Sequence, residues 1–212
     1  MLFDCASLSP ENTYKLLVST VVPRPIAWVT TLDENGTPNA APYSFFNAMS
    51  GSPPVVAIGI GPKREGLKDT GENIRRAREF VVNLVTDRTA EAMNVTAIDF
   101  PAGVNELAEA GLTTAKSSHV APPRIAESPV AVECRLHTLI ELGQGRAVVL
   151  GEVLAFHIDD ACVLDPARCY IDTPRLGLIG RMHGAGGYLR TTDRLEMPRI
   201  SLAAWQQRGA AE

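Results

Sequence analysis

One stretch, from Pro23 to Pro54, most restricts what this chain can fold into. Its first part alternates with a period of two: one face carries Ile26, Trp28, Thr30 and Leu32, and the other carries Ala27, Val29 and Thr31. This pattern predicts a β-strand, because successive side chains of a strand point to opposite faces. Asp33-Glu34-Asn35-Gly36 then predicts a tight turn, since Asn-Gly tolerates positive φ. A second strand is predicted from Thr37 to about Phe46.

The predicted second strand ends in a mixture of aromatic and polar residues. Phe45 and Phe46 are interleaved with hydroxyl and amide side chains, namely those of Ser44, Asn47, Ser50 and Ser52. Open backbone N–H and C=O groups at a strand end can bind the edge of a heterocycle, and short hydroxyls can hold the rest of the ligand. The stretch therefore suits a flat aromatic ligand with polar edges. Taken alone, its spacing also fits a generic β-hairpin.

A helix is predicted from Lys68 to Glu79, after a short apolar strand at Pro54 to Ile60. Asp69 followed by Glu72 resembles a capping box. The amino end of a helix can hold a phosphate through its free N–H groups and its macrodipole. Lys68 and the hydroxyl of Thr70 are therefore candidate phosphate ligands. The alternative is a plain amphipathic helix packed on the sheet.

Three segments of the sequence, in the same order along the chain, resemble one known family. The Pro23–Pro54 stretch, Lys68-Asp69-Thr70 and Asn73-Ile74 together resemble the flavin-reductase-like family of short FMN-binding split barrels, which includes flavoredoxin. The resemblance extends from about Tyr14 to Pro198. It implies a mainly β fold, a six-stranded Greek-key split β-barrel with peripheral helices, formed by one domain over residues 1–212. It also implies a homodimer with one FMN per subunit near the dimer interface.

The same resemblance implies where the cofactor binds. It places Thr30 and Thr31 beside the flavin chain, Ser44, Phe45, Phe46 and Asn47 along the isoalloxazine, and Ser50, Lys68 and Thr70 toward the ribityl and phosphate groups. Arg181 and His183 belong to a glycine-rich stretch, Gly177 to Tyr188, and can close the site.

The resemblance implies an NAD(P)H-dependent flavin reductase that passes hydride from nicotinamide to flavin N5. A flavin-dependent monooxygenase or another electron acceptor would be its partner. The sequence shows no Ser–His–acid order, paired-carboxylate motif or metal-ligand cluster, and a flavin protein needs none because the cofactor carries the redox chemistry. The alternative is a flavoprotein that holds FMN tightly, as an electron carrier or redox-responsive binding module, without turnover of free flavin. No separate nicotinamide motif decides between the two.

Charge and composition restrict the partners and the compartment. Twenty Lys+Arg against 24 Asp+Glu give a formal net charge of −4 without a basic cluster, which disfavours nucleic-acid and anionic-membrane partners. No apolar run approaches the roughly 20 residues that span a bilayer. The amino terminus lacks the pattern of a signal peptide. The four cysteines are widely scattered and are predicted to be reduced thiols. We expect a cytoplasmic protein without a metal site.

Two long strands are predicted in the second half, after an irregular excursion from Ala97 to Ser128. In Val130 to Leu142 the buried face is predicted to carry Val130, Val132, Cys134, Leu136, Ile140 and Leu142, with Glu133, Arg135, His137 and Glu141 on the polar face. The next strand, Ala147 to Ile158, is apolar on both faces. We therefore expect Val149 and Val153 on its second face to pack against a partner subunit, or else against the chain's own helices.

Overall fold

The computed structural model describes residues 1–63, 66–101 and 103–209. Its strands are β1 Ala27–Leu32, β2 Pro38–Tyr43, β3 Phe46–Gly51, β4 Pro54–Ile60, β5 Glu79–Leu84, β6 Thr114–Ala115, β7 Arg124–Ile125, β8 Val130–Gly143, β9 Arg146–Ile158, β10 Val163–Asp165, β11 Tyr170–Ile171, β12 Ile179–Met182 and β13 Gly187–Arg190. Its α-helices are α1 Pro10–Thr20, α2 Asp69–Ala77, α3 Ala90–Val95, α4 Glu106–Glu109 and α5 Leu202–Gly209.

Seven of these strands form one antiparallel sheet in the order β2-β1-β5-β8-β9-β4-β3. β2 and β3 are consecutive in the chain, yet they lie at opposite edges of this sheet. Only Ser44 and Phe45 join them, so the sheet curls until its two edges meet. The N–H of Gly59 on β4 donates to the carbonyl of Phe45 at this junction, with an N–O distance of 2.6 Å. The result is the mainly β split barrel that the sequence predicts.

The predicted single strand from Thr37 to Phe46 is wrong in one respect. It ends at Tyr43, and a new strand begins at Phe46 and continues to Gly51. The reason is that Ser44 and Phe45 turn the chain from one edge of the barrel to the other. This break also explains why the sheet has seven strands instead of six.

The apolar side chains separate into an inner and an outer layer. The inner layer fills the barrel and includes Val29, Ile58, Ile74 and Phe80. The outer layer lies between β1 on one side and α3 with the excursion from Ala97 to Ser128 on the other, and here Trp28 packs with Met93, Leu107 and Ile125. The Trp28 indole N–H donates to the Thr96 hydroxyl at 2.9 Å. The excursion therefore covers the outer face of the sheet beside β1.

Bulges change which residues of β8 face the core. The pairing register shifts between Leu136 and Thr138, which inserts one extra residue and reverses the alternation beyond it. Leu139 then packs against the inner core, whereas Ile140 and Leu142 are 46% and 62% exposed. The prediction that Ile140 and Leu142 share the buried face is therefore wrong.

The strand β9 points its predicted partner-binding residues inward. Val149 is fully buried and Val153 is 8% exposed, and both belong to the inner core. The prediction that these two side chains contact a partner subunit is wrong, because the barrel interior already covers them. The outward face of β9 carries Val148, Leu150 and Leu154, which are half-buried. None of the described helices is long and apolar enough to cross a membrane.

Candidate functional site

A cleft of about 870 Å³ opens between β2 and the amino end of α2. Residues 96–100, where the excursion begins, form its third wall, and Lys68 and Thr70 line it together with residues of β2. Its size falls within the range of about 300–1,000 Å³ typical of ligand sites. A second cleft, of about 800 Å³, includes Arg88, Phe156 and Arg175 but none of the predicted cofactor residues. We therefore take the first cleft as the candidate site.

The amino end of α2 faces this cleft without a side-chain cap. Lys68 is the N-cap residue, and no described side chain accepts a hydrogen bond from the first N–H groups of the helix. The capping box predicted from Asp69 and Glu72 is not formed, since the Asp69 carboxylate instead pairs with Lys63. The Lys68 ammonium lies 3.5 Å from an Asp99 carboxylate oxygen. An uncapped helix start flanked by two lysines suits an anionic ligand, although Asp69 and Asp99 reduce the net positive charge.

A buried polar network joins Thr31 to Thr70. The Thr70 hydroxyl donates to Asn39 Oδ1 at 2.9 Å, and the Thr31 hydroxyl lies 3.3 Å from the same oxygen. Asn73 Nδ2 in turn donates to the Thr31 hydroxyl at 3.1 Å. Thr31 is fully buried and Thr70 is 1% exposed. The structure thus brings together two of the predicted residues, but the proton of the Thr70 hydroxyl is already bound by Asn39.

Glu106 of α4 completes this network from the excursion. Its Oε1 accepts from Asn39 Nδ2 at 2.7 Å, and its Oε2 accepts from the Ala40 N–H at 3.0 Å. Burial raises the pKa of the Glu106 carboxyl; its hydrogen bonds oppose that rise, and the nearby Asp69 adds to it. The cleft therefore contains a carboxylate that is costly to keep ionised.

The Tyr43 hydroxyl is a buried polar group without a hydrogen-bond partner among the described residues. Tyr43 is 7% exposed and lines the cleft at the end of β2. Burial raises the pKa of the phenol, and the neighbouring Thr70 hydroxyl opposes that rise. An unpaired hydroxyl of this kind costs about 1–3 kcal/mol and is uncommon in folded proteins.

The junction between β2 and β3 carries the other predicted residues. Phe45 is 40% exposed, and its ring stacks near that of Tyr14 with 6.4 Å between centroids. Phe46 is half-buried against the inner core. Asn47 and Ser50 are exposed on β3, where their side-chain oxygens accept from the N–H groups of Ala48 and Ser52 respectively. None of these residues lines the cleft; they follow the cleft residue Tyr43 in the chain and form an open strand surface.

Arg24 fastens this junction to the glycine-rich tail. Its guanidinium donates to the Val18 carbonyl at 2.7 Å, to the Ser44 hydroxyl at 3.4 Å and to the His183 carbonyl at 3.4 Å. The Arg181 guanidinium donates to the Gly184 carbonyl at 3.0 Å and lies 4.5 Å from the centre of the Tyr188 ring. Arg24 therefore links the hairpin of β12 and β13 to Ser44 at the junction.

Thr30 lies apart from the other predicted residues. Its hydroxyl donates to the Pro123 carbonyl at 2.6 Å and accepts from Asn83 Nδ2 at 3.3 Å, beneath the excursion. Thr30 and Thr31 point to opposite faces of β1, so only Thr31 belongs to the polar network at α2. The structure thus separates a pair that the resemblance places together beside the flavin chain.

Sequence reasoning missed Asn39, Tyr43 and Glu106. Asn39, Ala41 and Tyr43 share one face of β2, and the register places Asn39 opposite Thr31. A polar residue on the inward face of a strand is the available signal, because buried polar groups require partners. Glu106 gives no such signal, since only the folded excursion brings α4 against β2.

Comparison with known proteins identifies the family. A family model described as the flavin reductase like domain matches residues 18–172. The chain belongs to this family. An uncharacterized protein of Deinococcus radiodurans is 42% identical over 214 residues, which cover 99% of this chain and 94% of the relative.

Two solved structures resemble the whole barrel. The 2-nitrobenzoate 2-nitroreductase of Pseudomonas fluorescens has a TM-score of 0.87 and 34% identity, with coverage of 95% of this chain and 98% of that chain. Nitrilotriacetate monooxygenase component B from Bacillus cereus has a TM-score of 0.87 and 29% identity, with coverage of 93% and 98%. The split barrel and the flavin reductase-like family are thus both established for this chain.

Proposed function

We propose that this protein is an FMN-binding oxidoreductase that acts as an NAD(P)H-dependent flavin reductase. The observation that carries the proposal is the cleft at the uncapped start of α2, in a chain of the flavin reductase-like family. Lys68 lies in this cleft together with the Tyr43 hydroxyl, which has no hydrogen-bond partner among the described residues. A buried hydroxyl without a partner fits a cleft that is completed by a polar ligand. The start of α2 offers one anion site, which fits a monophosphate better than a dinucleotide.

The residues around the cleft divide the binding of FMN between two ends. Lys68 and the backbone N–H groups at the start of α2 would hold the phosphate. The backbone from Ser44 to Asn47 would orient the isoalloxazine along the side of β3 that does not pair with β4, and Phe46 anchors that backbone to the inner core. Bound FMN would supply the redox chemistry, by accepting hydride from NAD(P)H and delivering electrons to an acceptor.

We further propose a cytoplasmic homodimer that passes electrons to a flavin-dependent monooxygenase or another acceptor. Support for the dimer comes from exposed apolar side chains beside the candidate site, since Tyr14, Phe45 and Met49 are 54%, 40% and 55% exposed. A second copy that covers them would also shield the flavin from water. Light scattering should give the mass of a dimer, and Met49→Glu should shift it to that of a monomer. A wild-type monomer at micromolar concentration would contradict the dimer.

A second candidate is a flavoprotein that retains FMN and reduces a bound acceptor directly, without turnover of free flavin. The relationship to a 2-nitrobenzoate 2-nitroreductase at 34% identity favours this alternative. The two candidates differ in whether FMN is a substrate or a prosthetic group.

One experiment separates the candidates. Bound flavin is quantified in purified protein, and oxidation of NADH and of NADPH is then measured with and without added free FMN. A flavin reductase gives a rate that rises with free FMN and saturates. A protein with retained FMN gives a rate that depends on an acceptor such as a nitroaromatic compound but not on free FMN. Protein that is colourless and does not quench FMN fluorescence would contradict both.

A further inference from the structure

Glu106 makes an unusually complete set of contacts for a residue on a four-residue helix of the excursion. Its two carboxylate oxygens accept one hydrogen bond each, from Asn39 Nδ2 at 2.7 Å and from the Ala40 N–H at 3.0 Å. Both donors belong to β2, the strand that forms one wall of the cleft. Glu106 therefore connects the excursion to the cleft wall.

The charge on Glu106 fixes the orientation of the Asn39 amide. An ionised carboxylate only accepts hydrogen bonds, so Asn39 must direct its NH₂ group toward Glu106. The carbonyl oxygen of Asn39 then faces the opposite way, where the Thr70 hydroxyl donates to it at 2.9 Å. Because Thr70 is the second residue of α2, the start of that helix is held against β2.

The network continues one step deeper into α2. The Thr31 hydroxyl contacts the same Asn39 oxygen at 3.3 Å and accepts from Asn73 Nδ2 at 3.1 Å. Two residues of α2, one in its first turn and one in its second, thus depend on a single orientation of Asn39. A reversed Asn39 amide would set its NH₂ group against the Thr70 proton.

An ionised Glu106 is costly in this position. Burial raises its pKa, and Asp69 at the start of α2 adds to the rise. A neutral side chain would be easier to bury, so the charge is not explained by stability alone.

We infer that Glu106 is a positioning residue for the phosphate end of the flavin site. It acts through Asn39 and holds Thr70 and the first turn of α2 in the arrangement that presents the backbone N–H groups to an anionic ligand. This inference deepens the proposed function, because it rests on FMN being bound with its phosphate at α2. It assigns to the excursion a part in cofactor binding.

The sign of the effect distinguishes positioning from direct electrostatics. A carboxylate that lines a cleft repels a phosphate, so the removal of its charge alone should tighten FMN binding. If Glu106 positions the helix start, the same removal should weaken FMN binding. A glutamine keeps the shape of the side chain but has only one acceptor oxygen for two donors.

The test is the affinity of full-length Glu106→Gln apoprotein for FMN and for riboflavin, measured by quenching of flavin fluorescence. We expect FMN to bind about ten-fold more weakly, the scale of one hydrogen bond to a charged group, and riboflavin to change less than about two-fold. Riboflavin lacks the phosphate and so does not report on the start of α2. Glu109→Gln, the same change on the exposed side of α4, should leave both affinities unchanged.

A second variant tests the far end of the same set of contacts. Thr70→Val removes the hydroxyl that Asn39 orients and should weaken FMN binding without an equal loss of riboflavin. In the double variant, Glu106→Gln should add little to the effect of Thr70→Val, because both changes break one chain of contacts. Thr70→Val also tests the inference if the glutamine variant does not fold.

Several outcomes would overturn the inference. Equal or tighter FMN binding by Glu106→Gln would leave only a direct charge effect, and an equal loss of FMN and riboflavin would indicate general damage. Additive effects in the double variant would show that Glu106 and Thr70 do not act together through Asn39. Failure of wild-type protein to bind either flavin would overturn the proposed function itself, and with it the inference. Wild-type FMN binding with an unchanged variant would overturn the inference alone.

Discussion

Two carboxylates, the buried Glu133 and the half-buried Glu106, fasten the excursion to the barrel in different ways. Glu133 lies on β8 and accepts hydrogen bonds from the excursion, whereas Glu106 lies on the excursion and accepts hydrogen bonds from β2. One lies under the excursion and the other beside the candidate site. Their surroundings differ, so we expect the removal of each charge to have a different effect.

Glu133 is surrounded by donors. It is fully buried; its oxygens accept from the N–H groups of Ser118 and His119 at 2.6 Å each, and His157 Nε2 lies 2.5 Å from Oε1. Burial raises its pKa, but these hydrogen bonds and the charge of His157 outweigh burial, so the pKa of Glu133 is lowered. The folded state therefore favours the ionised form of Glu133.

Glu106 shows the opposite balance. Burial outweighs its hydrogen bonds, and its pKa is raised. It also lines a cleft that contains the unpartnered Tyr43 hydroxyl. The contacts of Glu133 therefore stabilise its ionised form in the folded state, whereas the surroundings of Glu106 disfavour its ionised form.

The largest expected effect is a loss of stability in Glu133→Gln. The amide can accept from only one side and places an NH₂ group against a backbone N–H donor, so we expect the free energy of unfolding to fall by about 3 kcal/mol. Urea denaturation at neutral pH measures this change. Glu141→Gln on the same strand removes an exposed pair with Arg75 and should cost less than about 1 kcal/mol. Equal losses in the two variants would contradict the role assigned to Glu133.

A change on the cleft side should affect binding instead. Lys68→Ala should weaken FMN binding by roughly 1.5–3 kcal/mol, about ten- to 150-fold, because it removes one hydrogen bond between charged groups. Its unfolding curve should stay close to that of wild type, since the exposed pair with Asp99 contributes little.

Calorimetric titration with FMN measures the loss in Lys68→Ala. Lys15→Ala serves as the control, because it removes an exposed lysine of α1 that does not line the cleft. Equal FMN affinities of Lys68→Ala and wild type would show that the phosphate binds elsewhere and that the cleft at α2 is not the phosphate site.

The two carboxylates should change the free energy of unfolding in opposite directions as the pH falls. The lowered pKa of Glu133 means that its stabilisation is present above its unfolded pKa of about 4.3 and is lost as the pH falls through its folded pKa. The raised pKa of Glu106 means that the folded state gains relative stability as the pH falls from the folded pKa toward about 4.3.

Urea denaturation at several pH values tests these signs. The excess free energy of unfolding of wild type over Glu133→Gln should be constant at neutral pH and shrink below about pH 4.3. The free energy of unfolding of wild type relative to Glu106→Gln should instead rise as the pH falls toward that value. Parallel pH dependences for the two variants would show that the carboxylates do not differ as described.

The sequence predicts the framework of this molecule better than its details. The period-two pattern of β1, the Asn-Gly turn and the start of α2 follow from local rules, so these elements occur close to their predicted positions. The outward position of Ile140 and the inward position of Val153 do not follow, because bulges in the β8–β9 pair and the curvature of the barrel decide them. Such features depend on partners distant in the sequence.

The candidate site was predictable to a similar extent. Lys68 and Thr70 could be assigned from their place at a helix start, and the structure brings them to one cleft. The contact of Glu106 with Asn39 joins residues 67 positions apart and has no local pattern. The alternation of β8 predicts a polar face for Glu133, yet this residue is completely buried and the excursion covers it.

The smallest expected effect concerns Tyr43. In Tyr43→Phe the buried hydroxyl is removed together with the cost of leaving it unpaired, so the apoprotein should unfold with equal or higher free energy, by up to about 1 kcal/mol. Tyr14→Phe removes an exposed hydroxyl that water can satisfy and should change stability by less than about 0.5 kcal/mol. Urea denaturation of the two apoproteins measures both changes. A loss of more than 1 kcal/mol in Tyr43→Phe would mean that the hydroxyl has a partner within the protein, and the cleft would then be as fully satisfied as the surroundings of Glu133. A gain would show that this side of the barrel gives up stability for a group that only a ligand completes.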